Sequence, residues 1–147
     1  VAASGVLHVD ETGIPSGTKM NVTGTQFDFQ TSAALTQGDS PLNIDHNYCV
    51  SDDRAELRPI AWLSGGDTQM ELASTEPGLQ VYTGAGLGAD LRSAPTGRAF
   101  HPYAGIALEP QIWPDSPNHP EFAQAILRPN DEYHHQIAYR FTRDAIL

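Results

Sequence analysis

Hydrophobic positions in this chain come in short runs, several of them alternating with polar positions, and glycine or proline interrupts the runs. Alternation with period two is typical of β-strands, and few intervals could hold a helix of ordinary length. In the clearest run, Tyr133, Ile137, Tyr139 and Phe141 would share one face. The pattern predicts an all-β, antiparallel β-sandwich. Its strands are expected at residues 6–9, 19–23, 60–63, 70–74, 78–83, 105–110 and 133–141.

Three segments between these runs are too long and too polar for tight turns: residues 31–44, 87–102 and 110–120. Long loops on a β scaffold often carry a binding function. Residues 120–126 have the composition of a short helix with proline at its start, but the prolines before it favour a loop.

The length of 147 residues predicts one domain, over residues 1–147. The formal net charge of −10 argues against nucleic acid and anionic membranes as partners. No run of about 20 apolar residues predicts a membrane span. A neutral small molecule remains compatible with this composition.

The single cysteine, Cys49, cannot form a disulfide within the chain, which favours a reducing compartment such as the cytoplasm. Its apolar neighbours predict a buried packing residue rather than a nucleophile. The chain begins with Val1, so we expect that it was processed or excised from something longer.

Among the acidic residues, Glu109 has the most distinctive context, because it ends the apolar run 105–108 and precedes Pro110. A carboxylate at the end of a buried strand is partly desolvated, and desolvation raises its pKa toward that of a useful general base. A strand-end glutamate in water is an equally good interpretation of the same pattern.

A second polar cluster, Asp45-His46-Asn47, precedes the apolar stretch at Tyr48. Asp45 could accept hydrogen bonds from sugar hydroxyls, although the pattern alone favours a turn. The six histidines include no HExxH motif, and neighbouring histidines would alternate across a strand, so we expect no metal site.

Several aromatic side chains lie near the predicted loops, and core packing is their commoner fate. Trp113 is the best candidate to stack on a sugar ring, since it follows Glu109 in a proline-rich loop.

The run 105–122, GIALEPQIWPDSPNHPEF, resembles the segment around the catalytic glutamate of the aldose 1-epimerase (galactose mutarotase) family. The segment 75–84, TEPGLQVYTG, resembles the strand before it, and Ile44-Asp45-His46-Asn47-Tyr48 is similar to the family's substrate-binding aspartate motif. These matches keep the family's order and extend from about Ile14 to Phe141. They imply the C-terminal part of a large β-supersandwich, whose N-terminal portion is absent from this chain.

The resemblance implies an isomerase that interconverts the α and β anomers of aldohexoses such as galactose or glucose, with no cofactor. Glu109 would be the general base and Asp45 would bind sugar hydroxyls. Gln111, Tyr82 and Trp113 would line the substrate site. The family's two histidines and its substrate-binding arginine belong to segments upstream of this chain, and Ala85 stands where the family often has asparagine.

We therefore expect a base and a sugar ligand here, but not the acid. An isolated half-sandwich would expose an apolar face, so we also expect an N-terminal companion chain or self-association. The alternatives are a short homologue that uses His101 or His119 as the acid, a non-catalytic sugar-binding module or inactive fragment, and a structural β domain without a ligand.

Overall fold

The computed structural model describes residues 1–88 and 95–143. Over these ranges the chain is all-β, with ten strands and a single 3₁₀ turn at Ser116–Asn118. The strands are β1 (Gly5–Val9), β2 (Pro15–Asn21), β3 (Thr36–Gln37), β4 (Ser40–Pro41), β5 (Asp45–Cys49), β6 (Arg58–Gly65), β7 (Thr68–Ser74), β8 (Gly78–Tyr82), β9 (Ala107–Gln111) and β10 (Ile137–Arg143). No helix in the described ranges is long and apolar enough to cross a membrane.

The strands form a five-stranded sheet in the order β2-β1-β5-β8-β9, a three-stranded sheet in the order β10-β7-β6, and the small hairpin β3-β4. The strand pairings described within these sheets are antiparallel. The predicted fold class, an antiparallel β-sandwich, is confirmed.

The main core lies between the two larger sheets. Tyr48, Leu79 and Val81 of the five-stranded sheet and Ile60 and Leu72 of the three-stranded sheet are at most 4% exposed. Because side chains alternate across a strand, burial of one face turns the other face of the same strands outward. In each strand, burial of the apolar side chains therefore directs the polar side chains to the opposite face.

A second, smaller core lies on the opposite face of the five-stranded sheet, where Leu7, Trp113 and Phe122 pack together. The indole N–H of Trp113 donates to the carbonyl oxygen of Pro77 at 3.1 Å. Gly78 permits this packing, because an added Cβ would lie 2.9 Å from the Trp113 ring and 2.5 Å from Asn47 Oδ1. This cluster holds the segment after β9 against the start of β8.

At one edge of the three-stranded sheet lies β10, which the rest of the described chain leaves largely uncovered. All seven residues of β10 are exposed, although Ile137, Tyr139 and Phe141 alternate along it. By register they share a face with Leu72 and Met70 of β7, which belong to the main core or pack on it. The apolar face of this sheet therefore continues beyond the core.

Each predicted strand overlaps an observed one, and the observed ends differ from the predicted ones by up to four residues. The strand expected at 19–23 is β2, which begins four residues earlier, at Pro15. The strand expected at 133–141 begins only at Ile137, and the one expected at 105–110 is β9. Residues 120–126 are not helical, as the prolines indicated, and part of the loop expected at 87–102 lies outside the described residues.

Candidate active site

Three strands of the five-stranded sheet bring polar residues together on its outer face. In the register of β5, β8 and β9, Asn47 pairs with Gln80 and Gln80 pairs with Glu109. In the next row Asp45 pairs with Tyr82. Residues at these positions share a face because each lies an even number of residues from the next along its strand. Segments separated by more than 60 residues in sequence thus meet in one small area.

This face forms the floor of an open cavity of about 640 Å³. The turn between β1 and β2 supplies one wall, through Asp10, Glu11 and Gly13. A volume of this size is typical of sites for small molecules. The predicted site residues that line it are Asp45, Tyr82, Glu109 and Gln111.

Glu109 lies in the middle of β9, not at its end, and its side chain is exposed. The expected desolvation at a strand end is therefore wrong for the described structure. The carboxylate nevertheless faces the cavity that contains Asp45, so it is accessible to a ligand there.

Asp45 is the first residue of β5, and the turn that its sequence context favoured is absent. The side-chain amide of Gln80 donates to Asp45 Oδ1 at 2.7 Å, which leaves other lone pairs of the carboxylate for a ligand. Tyr82 is anchored as well, because its hydroxyl accepts the backbone N–H of Gly86 at 2.5 Å. Both side chains are thus held by hydrogen bonds at the cavity.

Trp113 does not line this cavity. Its side chain is 3% exposed and packs edge-on against Phe122, with the Lys19 ammonium 4.6 Å from the ring centre. A sugar in the cavity has no access to either indole face. The sequence context of Trp113 was misleading, because the ring is buried by Leu7, from the first strand, and by Phe122, from the loop that follows it.

On the strands that form the cavity floor, sequence reasoning missed two polar residues. Gln80 and Asn47 both line it, and alternation with Tyr82 and with Asp45 was the signal that would have found them. Asn47 is 2% exposed and its Oδ1 has no hydrogen-bond partner among the described residues. That oxygen is buried next to Gly78, where an added Cβ would lie 2.5 Å from it.

His46 is the one histidine among the described residues that line the cavity, and its ring packs on Phe27 at 4.5 Å between centroids. Burial lowers its pKa, only partly offset by the nearby Asp45 carboxylate, so the neutral ring dominates at neutral pH. His119 is bound instead by Asp115 and Glu121, and neither it nor His101 lines the cavity. Neither alternative acid therefore faces the cavity that contains Glu109.

Other candidate chemistries gain no support. No group of three potential metal ligands exists among the residues that the structure describes. Cys49 carries a thiol whose pKa burial raises to about 12, which keeps it protonated and unreactive.

Comparison with known proteins places this chain in a family. The sequence model of the aldose 1-epimerase family matches residues 1–140. Galactose mutarotase of Mus musculus is 37% identical over 150 residues, covering 97% of this chain and 42% of its own length. Aldose 1-epimerase of Escherichia coli K12 is 34% identical, covering 96% of this chain and 43% of its own.

A crystal structure described as a GalM/aldose epimerase homologue from C. elegans has the same fold, with a TM-score of 0.80 and 24% identity. The match covers 97% of this chain and 44% of that one. The chain thus spans less than half the length of the relatives that it matches. Because the family's sequence model matches residues 1–140 of its 147 residues, the chain belongs to the aldose 1-epimerase family.

Proposed function

We propose that this chain carries part of the active site of an aldose 1-epimerase, which interconverts the α and β anomers of aldohexoses such as galactose or glucose. The observation that carries the proposal is the shared cavity of Glu109 and Asp45, built by register on the outer face of the sheet. Two carboxylates over a polar floor suit a ligand rich in hydroxyl donors.

In this proposal Glu109 accepts the proton of the anomeric hydroxyl while a second group donates a proton to the ring oxygen. The ring opens, the carbonyl carbon rotates, and the ring closes on the other face with the two proton transfers reversed. Asp45 accepts hydrogen bonds from sugar hydroxyls and, with Gln111 and Tyr82, orients the ring. The reaction is redox-neutral and forms no covalent intermediate, so acid–base groups suffice.

Polarimetry on freshly dissolved α-D-galactose tests this proposal. We expect the protein, assembled with the polypeptide that supplies the proton donor, to accelerate mutarotation, and Glu109→Gln to lower that acceleration by about 100-fold or more, the usual contribution of a general base. Glu121→Gln, at an exposed glutamate outside the cavity, is the matched control. Acceleration that survives Glu109→Gln contradicts the assignment of the base. Sugar binding by that assembled protein without acceleration favours the non-catalytic sugar-binding module.

The proposal includes a further polypeptide, either an N-terminal companion chain or a second copy of this one. The exposed row Ile137, Tyr139 and Phe141 on β10 supports it, as does an open groove of about 500 Å³ between the two sheets, lined in part by Val81 and Leu108. Exposed apolar surfaces of this kind usually mark interfaces. The companion would also supply the proton donor to the ring oxygen. A cytoplasmic location remains a prediction from the single unpaired cysteine.

Sedimentation velocity over a range of concentrations, with binding of the dye ANS, tests this part. If the chain self-associates, the sedimenting mass should rise from that of a monomer to that of a dimer as the concentration increases. The double variant Tyr139→Ser/Phe141→Ser should then remain monomeric. A missing companion predicts a monomer that binds ANS, less so in the double variant, because the uncovered apolar row is the dye site. A monomer that binds no dye contradicts both forms of the proposal.

A further inference from the structure

The three-stranded sheet has an open edge at β6, where no other strand of the described residues pairs. A two-residue turn joins β6 to β7, so Gly65 and Thr68 close this hairpin as a hydrogen-bonded pair. Hydrogen-bonded pairs alternate with non-bonded pairs along an antiparallel ladder. The backbone groups of Leu63 therefore bond to β7, whereas the N–H and C=O groups of Trp62 and Ser64 point away from it, to the free edge.

This edge lacks the features that usually keep an exposed strand from pairing with further polypeptide, which are prolines and charged side chains. The other edge strands have them: Pro15 and Lys19 lie in β2, Pro110 lies in β9 and Arg140 lies in β10. In β6, residues 61–65 include neither a proline nor a charged side chain. This part of β6 is therefore typical of a strand that has a neighbour on both sides.

The first residues of the chain already begin such a pairing. The backbone N–H of Ala2 donates to the carbonyl oxygen of Ile60 at 2.8 Å. Val1 lies further along β6, since it lines two cavities together with Trp62 and Ser64. Residue numbers thus fall along the first segment as they rise along β6, which is the antiparallel direction. A segment that preceded Val1 would continue along the free edge.

The surroundings of Val1 can accommodate a preceding residue. Its half-buried ammonium group donates to the carbonyl oxygen of Phe29 at 2.6 Å, and burial lowers the pKa of that group. A peptide N–H at the same place would keep the hydrogen bond without a desolvated charge. The side chain of Val1 packs against the main core. Extension of the chain at this point therefore disturbs no contact that the structure describes.

We propose that the free edge of β6 is a strand-addition site, occupied in the full-length protein by the segment directly before Val1. That segment runs antiparallel to β6, bonds to the backbone groups of Trp62 and Ser64, and covers the groove of about 500 Å³ between the sheets. The relatives are long enough to supply it, because this chain spans less than half their length. The inference rests on the part of the proposed function that includes a further polypeptide.

Amide hydrogen exchange, followed residue by residue, tests the inference. It compares the chain itself, the chain extended by the segment that its gene encodes directly before Val1, and the chain extended by a Gly-Ser linker of equal length. With the encoded segment, we expect the amides of Trp62 and Ser64 to exchange at least about tenfold more slowly than with the linker, because new hydrogen bonds protect them. The amides of β7, which is paired on both sides in every version, are the internal reference.

The variant Ser64→Pro separates pairing at this edge from folding of the sheet. Proline lacks the N–H that would face the added strand, yet an edge strand tolerates it where that N–H faces away from the sheet. In the extended protein, Ser64→Pro should return the Trp62 amide to the exchange rate measured with the linker, while the amides of β7 remain protected. Ser64→Ala keeps the N–H and should leave the Trp62 amide protected.

Three outcomes overturn the inference. The first is equal exchange at Trp62 and Ser64 with the two extensions. The second is protection of these amides in the unextended chain that grows with its concentration, which would mean that a second copy occupies the edge. The third is a gene that encodes no segment before Val1.

None of these outcomes bears on Glu109, so polarimetry still decides the proposed catalysis. Protected amides at Trp62 and Ser64 together with mutarotation that Glu109→Gln does not change would contradict the proposed base and leave the strand-addition site standing. The two proposals can therefore fail separately.

Discussion

The two faces of the five-stranded sheet differ sharply although the same strands build both. On the inner face Tyr48, Leu79 and Val81 are almost completely buried. On the outer face, at the residues that alternate with them, Asp45 and Gln80 line a cavity. The inner face supplies the hydrophobic stabilisation, and by fixing the register it also aligns the outer residues. A slip of one residue in β8 would exchange the two sets.

The outer face itself is divided. At one end Trp113 packs under Phe122 against Leu7, and at the other Glu109 faces the open cavity. Only the close approach at Gly78 allows the packed end, since any larger residue there would meet Asn47 and Trp113. Rigid packing beside an open site is a common way to hold functional side chains in place.

The largest expected effect is on the free energy of unfolding, when two neighbouring residues on opposite faces of β8 are each replaced by alanine. Leu79→Ala should destabilise the fold by about 3 kcal/mol, because it opens a cavity at a side chain that is 0% exposed. Gln80→Ala should change stability by less than about 1 kcal/mol, since it removes one hydrogen bond at the open cavity. Chemical denaturation with urea measures both.

Gln80→Ala should instead weaken galactose binding, because it frees the Asp45 carboxylate from its amide partner and removes a polar group from the cavity floor. Leu79→Ala, measured well below its unfolding midpoint, should retain the wild-type affinity. Equal destabilisation by the two substitutions would mean that the faces are not functionally separate.

The strands that carry these two faces were the part of the structure most readily predicted from the sequence. Alternation around residues 78–83 and 105–110 was sufficient to place β8 and β9, because hydrophobic period is a local property. β5 was less visible, since Asp45-His46-Asn47 has the composition of a turn, and pairing with β1 and β8 makes it a strand. The family resemblance, rather than alternation, singled out Asp45.

Packing between distant segments could not be predicted in the same way. Trp113 was expected to be near the sugar, yet its partners Leu7 and Phe122 come from the first strand and from a loop. The wall formed by Asp10 and Glu11 was missed for the same reason, because nothing local indicates that the β1–β2 turn reaches β9. Side chains that meet only through tertiary structure carry no periodic signal.

The smallest expected effect concerns His46, which belongs to the inner face by alternation but also borders the cavity. Because burial lowers its pKa, the unfolded chain binds more protons than the folded one once the pH falls below the unfolded value of about 6.5. Stability that is present above that pH should therefore be lost as the pH falls toward the folded-state pKa. The loss should stay below about 1 kcal/mol, since the ring is only half-buried and solvent screens it.

Urea unfolding at pH 7 and at pH 5.5 measures this loss of stability. Both pH values lie above the range in which most carboxylates titrate. His46→Asn should flatten the pH dependence over that interval, whereas His134→Asn, at an exposed position, should not. If His46→Asn leaves the slope unchanged, the ring is not desolvated in solution. In that case the inner face would be open to solvent where β5 reaches the cavity.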